Sequence, residues 1–166
     1  MTTGSRAING CAQKHAHQLL SKIIETKIKF NICVETHLKD IDQQTISIFK
    51  ASGVKLVYVG IESAVEEVRK DSNRQSEAND KQIQKINYLE KIGIKVKAMY
   101  IIGLPTDNKK TFAETLNYAK QINSSYAQFS VFTPYPGTPV FAEYKDKINV
   151  KTYEEFTQWQ LVFDHP

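Results

Sequence analysis

Two similar stretches of sequence decide the fold: SGVKLVYVGIES at residues 52–63 and IGIKVKAMYIIGLP at residues 92–105. In each, a glycine (Gly53 or Gly93) separates an amphipathic segment from an apolar run that begins with valine or isoleucine followed by lysine. Glycine commonly follows a helix C-terminus, and a short apolar run rich in β-branched residues is typical of a buried strand. The repeat therefore predicts consecutive helix–strand units.

The same alternation of helical and extended periods continues along most of the chain. It predicts helices at residues 17–27, 42–53, 66–70, 80–93 and 108–122, and strands at residues 28–34, 54–60, 95–102 and 128–133. Asp42, Asp80 and Asp107 are the predicted N-caps of the second, fourth and fifth helices. Helical spacing places Phe112 and Leu116 on the apolar face of the fifth helix.

Strict alternation of strands and helices favours a parallel sheet with helical crossovers, as in a barrel or a doubly wound sheet. Four strands are too few to close a βα barrel. We therefore predict an α/β fold, a partial (βα) TIM-type barrel of about four parallel strands with outer helices, over residues 14–150. Residues 1–13 are predicted to be disordered or foreign to the fold, and residues 151–166 to form an aromatic-rich C-terminal tail.

The composition excludes several classes of protein. Of the 166 residues, 41% are hydrophobic and 24% are charged, which is ordinary for a globular protein. The two cysteines, Cys11 and Cys33, exclude a disulfide scaffold and fit a reducing compartment. No apolar run reaches the length of a membrane span, and the net charge of +4 comes from scattered lysines. We expect a cytoplasmic protein for which neither a membrane nor a nucleic acid is indicated as a partner.

Glycines, carboxylates and a proline-rich loop gather where the predicted strands end. These residues are Glu35, Gly60, Glu62, Ser63, Gly103 and the stretch FTPYPGTP at residues 132–139. Each has an ordinary explanation, since glycines make turns and carboxylates cap helices. Because parallel α/β folds bind ligands beyond the carboxyl ends of their strands, the combination on one rim indicates a ligand site.

Three motifs stand in the order and at the spacing of the radical S-adenosylmethionine (SAM) superfamily: VGIES at 59–63, IIGLP at 101–105 and FTPYPGTP at 132–139. The chain most resembles the branch containing the methylthiotransferases, the oxygen-independent coproporphyrinogen oxidases and the cobalamin-binding radical SAM proteins. The ending QLVFDHP at 160–166 is similar to the cobalamin-binding group. The resemblance covers residues 14–166. It implies a barrel with SAM across the strand ends and a [4Fe-4S] cluster on the first βα loop.

The resemblance also implies roles for individual residues. Glu35 and Glu62 match family carboxylates near SAM, and Arg74, twelve positions after Glu62, matches a basic residue that meets SAM. Carboxylates can accept hydrogen bonds from ribose hydroxyls and an ammonium group, and a guanidinium can hold a carboxylate with two donors. The backbone after the third and fourth strands is expected along the adenosine. The implied SAM-binding set is Glu35, Gly60, Glu62, Ser63, Arg74, Gly103, Phe132 and Thr133.

Two departures limit what the resemblance implies. Met99 stands where related porphyrin-precursor enzymes carry an acid, and the CxxxCxxC cluster motif is missing together with the first two strands of the family core. Cys33 falls within a predicted apolar strand, where a thiol is expected to be inert packing. The chain thus resembles the C-terminal two-thirds of a radical SAM core.

Two functions remain as alternatives. The leading hypothesis is the C-terminal part of a radical SAM enzyme that binds SAM at the rim. In the complete protein it would support 5′-deoxyadenosyl radical chemistry with a [4Fe-4S] cluster, and cobalamin is a further candidate cofactor. The expected partners are the missing N-terminal part of the barrel and a small-molecule or unknown substrate. The alternative is a non-catalytic α/β module or truncated fragment serving a partner protein. The missing cysteines predict that the chain is inactive alone.

Overall fold

The computed structural model describes residues 4–65 and 78–166, with side chains from residue 13 onward. None of the helices within these ranges is both long and apolar enough to span a membrane. The helix expected at residues 66–70 lies outside the described residues. The elements in chain order are α1 (Gly4–Glu25), β1 (Ile32–Thr36), α2 (Gln43–Ser52), β2 (Val54–Glu62), α3 (Asn79–Lys91), β3 (Lys95–Ile102), α4 (Lys109–Ile122), β4 (Tyr126–Val131) and α5 (Pro139–Tyr144).

The four strands lie parallel in one sheet in the order β1-β2-β3-β4. A doubly wound sheet reverses its strand order at a switch point, whereas a βα barrel adds each new strand on the same side. The sequential order therefore confirms the partial TIM-type barrel with outer helices. Helix α1 begins within residues 1–13. That this segment is disordered or foreign to the fold stays a prediction.

The first strand starts later than the sequence predicts. β1 begins at Ile32 because its ladder opens with the pair Ile32 and Val54, the first residue of β2. The preceding backbone passes close to Gly53, where an added Cβ would collide with the carbonyl oxygen of Phe30. Gly53 also has a φ of 90°, which residues with a side chain rarely adopt. Gly53 therefore ends α2, and because it has no side chain the backbone that leads into β1 can pass close to it.

One of the three predicted N-caps is confirmed. The Asp42 carboxylate accepts a backbone N–H one turn into α2 at 2.7 Å. The assignments of Asp80 and Asp107 as caps are wrong, because α3 begins after Ala78 and α4 begins after Asn108. Asp80 lies in the first turn of α3, where its charge still faces the positive end of the helix.

The core lies between the sheet and the outer helices. Fully buried residues of the central strands face the helices: Val57, Val59, Ile61, Val96, Ala98 and Tyr100. Because strand side chains alternate, the intervening residues share the opposite face, which we call the inner face. It carries the half-buried residues Leu56, Tyr58, Glu62, Lys97, Met99 and Ile101. The inner face corresponds to the interior of the barrel.

Helix α4 buries a different stripe from the one its apolar residues predict. Phe112 and Leu116 are 40% and 48% exposed. The buried residues are Thr111, Thr115, Tyr118 and Ile122. The Tyr118 hydroxyl donates to Gln82 Oε1 of α3 at 3.0 Å, and both side chains are buried. This polar contact between helices favours a stripe displaced by one residue, or about 100° around the helix.

Candidate functional site

The strand exits surround one cavity of about 320 Å³ on the inner face. Five of the eight residues assigned to SAM line it: Glu35, Gly60, Glu62, Phe132 and Thr133. Met99, at the position where related porphyrin-precursor enzymes carry an acid, lines the same cavity. The structure therefore brings together residues that are almost one hundred positions apart in the sequence, because parallel strands end at the same edge of the sheet.

Glu62 has the most unusual backbone in this cavity. Its φ is 72°, in the left-handed region that few residues with a side chain adopt, and the β2–β3 register shifts between Gly60 and Glu62. Such irregularities re-aim a side chain and often mark functional positions. A Cβ on Gly60 would lie 2.6 Å from Glu62 Oε1. Gly60 thus leaves the space that the Glu62 carboxylate occupies.

The other three predicted residues are not placed in the cavity. Ser63 is 1% exposed, and its hydroxyl accepts the Val65 N–H at 3.2 Å, so it fastens the turn after β2. Gly103 turns the chain with a φ of 76° at the start of the loop after β3. Arg74 lies outside the described residues. Ser63 and Gly103 therefore shape the loops around the cavity, and a SAM contact for each of the three stays a prediction.

A buried carboxylate holds the Gly-Leu-Pro loop after β3. Asp107 is 8% exposed and accepts the Leu104 N–H and the Thr111 hydroxyl, each at 2.9 Å. The Asp107 N–H donates to the Leu104 carbonyl oxygen at 2.8 Å. Asp107 thus closes the loop against the first turn of α4 instead of capping the helix. Sequence reasoning missed this role, because an Asp just before a helix equally fits an N-cap.

The C-terminal tail forms part of the cavity wall. The Val131 N–H donates to the Gln158 carbonyl oxygen at 2.8 Å, and the Thr133 hydroxyl donates to the Thr157 carbonyl oxygen at 2.9 Å. Gln158 itself lines the cavity. The tail therefore supports the exit of β4, a role that sequence analysis did not assign to it.

Aromatic rings and one histidine fasten the end of the tail. Phe163 is fully buried, and its ring centroid lies 4.8 Å from that of Tyr144 and 5.9 Å from that of Phe132. Burial, with a smaller contribution from a neighbouring carboxylate, raises the pKa of Tyr144. A ring nitrogen of His165 lies 2.8 Å from the Leu104 carbonyl oxygen. These contacts join the tail to both the β3 and β4 exits.

A larger groove of about 680 Å³ lies between α1 and β1. It shares Glu35, Gly60, Glu62 and Met99 with the cavity, so the two spaces adjoin each other. In the part of the chain that the structure describes, β1 pairs with β2 alone, and its outer edge has no strand beside it. Cys33 lines this groove and is exposed. The prediction that its thiol is inert packing is wrong, because Cys33 lies on the inner face of an edge strand.

The protein side chains do not by themselves fit an iron–sulfur cluster. A [4Fe-4S] cluster that leaves one iron open for SAM needs three thiolates, and the chain has two cysteines. Across residues 13–65 and 78–166, no three His, Cys, Asp or Glu side chains are grouped to hold a metal ion. The carboxylates of Glu35 and Glu62 instead offer acceptor oxygens, which suit hydroxyl and ammonium donors.

The sheet order and the cavity at the strand exits define a partial βα barrel with a cavity at its carboxyl edge. The family model described as "Radical SAM superfamily" matches residues 10–119, which is more than half of the chain. The chain belongs to the radical SAM superfamily, whose kind of chemistry is SAM-dependent radical chemistry. The family implies SAM and a [4Fe-4S] cluster as cofactors.

Curated relatives fall in the branch that the sequence motifs indicate. Bacteriochlorophyllide d C-12(1)-methyltransferase of Chlorobaculum tepidum is 24% identical and covers 91% of this chain and 33% of its own. Anaerobic magnesium-protoporphyrin IX monomethyl ester cyclase of Cereibacter sphaeroides is 25% identical over 84% of this chain and 22% of its own. A tRNA-2-methylthio-N(6)-dimethylallyladenosine synthase of Psychrobacter cryohalolentis is 36% identical over 46% and 16%. The chain spans no more than a third of these relatives.

Solved structures of the superfamily share the fold. The radical SAM methyltransferase TsrM of Kitasatospora setae, with cobalamin and a [4Fe-4S] cluster bound, has a TM-score of 0.69 at 16% identity, over 80% of this chain and 28% of its own. Coproporphyrinogen III oxidase of Escherichia coli has a TM-score of 0.59 at 22% identity, over 72% and 28%. The predicted family, branch and fold are confirmed.

Proposed function

We propose that this chain provides the SAM-binding rim of a radical SAM enzyme. The observation that carries the proposal is the convergence of Glu35, Gly60 and Glu62 with the β4 exit around one cavity at the carboxyl edge of the sheet. In the complete protein, a [4Fe-4S] cluster supplied by other residues would support the 5′-deoxyadenosyl radical chemistry of the family. The substrate of that chemistry is a small molecule or another, unknown substrate.

The side chains divide the work of binding SAM by their chemistry. The carboxylates of Glu35 and Glu62 accept hydrogen bonds from ribose hydroxyls or the SAM ammonium group. The backbone around Phe132 and Thr133 lies along the adenosine, on a wall that the tail supports through the Thr133 hydroxyl. Arg74 holds the SAM carboxylate with two parallel donors.

We further propose that the barrel is completed by strands that pair with the outer edge of β1. An unpaired strand edge presents a row of backbone donors and acceptors, and covering it is the general requirement of an open sheet. Within the described residues, the free edge of β1 and the groove that adjoins the cavity support this proposal. Cobalamin in the complete protein, and a cytoplasmic location, are further proposals; cobalamin rests on the family branch.

SAM affinity tests the proposal directly. Calorimetry on the 166-residue protein should detect weak SAM binding, because the cluster contacts are missing. Glu35→Gln and Glu62→Gln should each weaken binding about tenfold or more, since a charged acceptor contributes about 1.5–3 kcal/mol. Glu114→Gln on α4 is the matched control, because Glu114 is partly exposed and pairs with Lys110 at 3.7 Å. Equal affinities for all variants, or no SAM binding by the wild type, would overturn the proposal.

The alternative is a non-catalytic α/β module that serves a partner protein. The presence of two cysteines where a cluster needs three thiolates favours it. Such a module need not bind SAM, so an absence of SAM binding in the same calorimetry would favour it. Both functions predict that anaerobic reconstitution gives far less than four irons per chain. Loading with four irons and formation of 5′-deoxyadenosine under dithionite would exclude the module.

A further inference from the structure

Lys97 places a positive charge on the inner face of the barrel. It is the third residue of β3 and is half-buried. Its side chain shares a face with Met99, two residues further along, and Met99 lines the candidate SAM cavity. With about 3.3 Å per residue, Lys97 lies roughly 7 Å deeper in the barrel than Met99. The lysine is therefore beneath the rim, on the inner face of the sheet.

An aromatic ring fixes the position of this charge. Lys97 Nζ lies 5.2 Å from the ring centroid of Tyr58, its partner in the β2–β3 ladder. A cation above the face of a ring is attracted by the ring electrons, and the attraction is stronger away from water. Tyr58 is itself half-buried. The ring therefore holds the ammonium group in place without neutralising its charge.

The same ring separates the lysine from the nearest acid in the ladder. Glu35 pairs with Tyr58 on the other side, so the row across the inner face runs Glu35, Tyr58, Lys97. With about 4.8 Å between strands, the backbones of Glu35 and Lys97 are roughly 10 Å apart. Among the described residues no carboxylate lies within 4 Å of Lys97 Nζ, whereas Lys95 pairs with Glu90 at 3.6 Å.

We propose that Lys97, positioned by Tyr58, binds a carboxylate or phosphate group of the substrate. A half-buried ammonium group that has no carboxylate beside it among the described residues has three donors to offer and is complementary to an anion. Glu35 lies across the sheet from Lys97, and Glu62 lies nearer the rim. Neither carboxylate therefore occupies the position that we propose for the anion. The assignment of the anion to the substrate of radical chemistry rests on the proposed function. The existence of the anion site does not depend on that function.

Anion titrations of the 166-residue protein test this site. Binding of succinate and of inorganic phosphate is followed by the backbone amide signals of residues 58 and 97 in ¹H–¹⁵N spectra. Lys97→Met should raise the dissociation constant of the preferred anion at least tenfold, and Lys97→Arg less than threefold. Tyr58→Leu should weaken binding, whereas Tyr58→Phe, which keeps the ring, should not. The preferred anion distinguishes a carboxylate from a phosphate ligand.

Lys95→Met is the matched control, because it removes one lysine charge from the same strand. It should leave anion binding unchanged. An equal loss for Lys95→Met and Lys97→Met, or no loss for Lys97→Met in a protein with unaltered thermal unfolding, overturns the site. SAM affinity should be the same in Lys97→Met and wild type; a parallel loss would assign Lys97 to the SAM carboxylate and overturn the proposal. Lys97-dependent anion binding in a protein that fails to bind SAM would support the site while refuting the proposed function.

Discussion

Replacing Gly60 with alanine should separate SAM binding from folding. An ideal Cβ at this position lies 2.6 Å from Glu62 Oε1 and 3.4 Å from Glu62 Cδ. Favourable contacts begin near 3.5 Å, so the carboxylate must retreat by roughly 1 Å. The obstructing atom is the end of a flexible side chain, and a rotamer adjustment costs about 0.5–1.5 kcal/mol. The expected loss of stability is therefore small.

The expected loss of SAM affinity is larger. If the Glu62 carboxylate makes a charge-assisted hydrogen bond worth about 1.5–3 kcal/mol, displacing it weakens SAM binding by about tenfold to a hundredfold. Calorimetry measures the affinity and thermal unfolding measures the stability. In a Glu62→Gln background, Gly60→Ala should cause little further loss, because both changes remove the same contact.

Gly93→Ala provides the opposite control. Gly93 has a φ of 85° with no atom within 4 Å of an added Cβ. Alanine there should lower the free energy of unfolding by about 1–2 kcal/mol through backbone strain and leave SAM affinity intact. The reasoning is refuted if Gly60→Ala keeps wild-type SAM affinity. It is also refuted if Gly60→Ala lowers the free energy of unfolding as much as Gly93→Ala and lowers SAM affinity only as far as that loss of stability explains.

Three further outcomes follow from buried or half-buried polar groups. Tyr100→Phe should raise the free energy of unfolding by about 1 kcal/mol, because the buried hydroxyl has no hydrogen-bond partner among the described residues; a loss above 1 kcal/mol in denaturant titration would contradict this. Asp107→Ala should cost about 2–3 kcal/mol in the same titration, because it leaves the buried Leu104 N–H unpaired; wild-type stability would exclude the loop clamp. Burial tends to raise the pKa of Glu90, but donors from Ser125 and Val96 outweigh it and lower that pKa. Stability from Glu90 should therefore be present above pH about 4.5 and be lost as pH falls further, and Glu90→Gln should flatten that part of the profile.

The sequence predicts the starts of the two central strands well because a glycine marks the end of each preceding helix. Gly53 and Gly93 end the preceding helices, and the strands start at Val54 and Lys95, within one residue of the predictions. The start of β1 could not be predicted, because the apolar run at residues 28–34 does not reveal where its partner strand begins. Pairing with Val54, a residue more than twenty positions away, decides it.

Long-range polar contacts account for the remaining differences. The buried face of α4 depends on a Tyr118–Gln82 hydrogen bond between helices, which the apolar periodicity of one helix cannot show. The sequence could place residues of the candidate site where a strand end fixes their position, as for Glu35 and Glu62. The contribution of the tail through Gln158 could not, because it depends on tertiary contacts of a segment without regular periodicity.

Photo-crosslinking with radiolabelled SAM tests the central claim most directly. Ultraviolet irradiation of the 166-residue protein with SAM, followed by peptide mapping, reports which residues lie against the ligand. The SAM-binding rim predicts adducts at residues 60–62 and 131–133, which unlabelled S-adenosylhomocysteine suppresses and Glu62→Gln reduces. Adducts confined to the outer helices, or insensitive to the competitor, would contradict it.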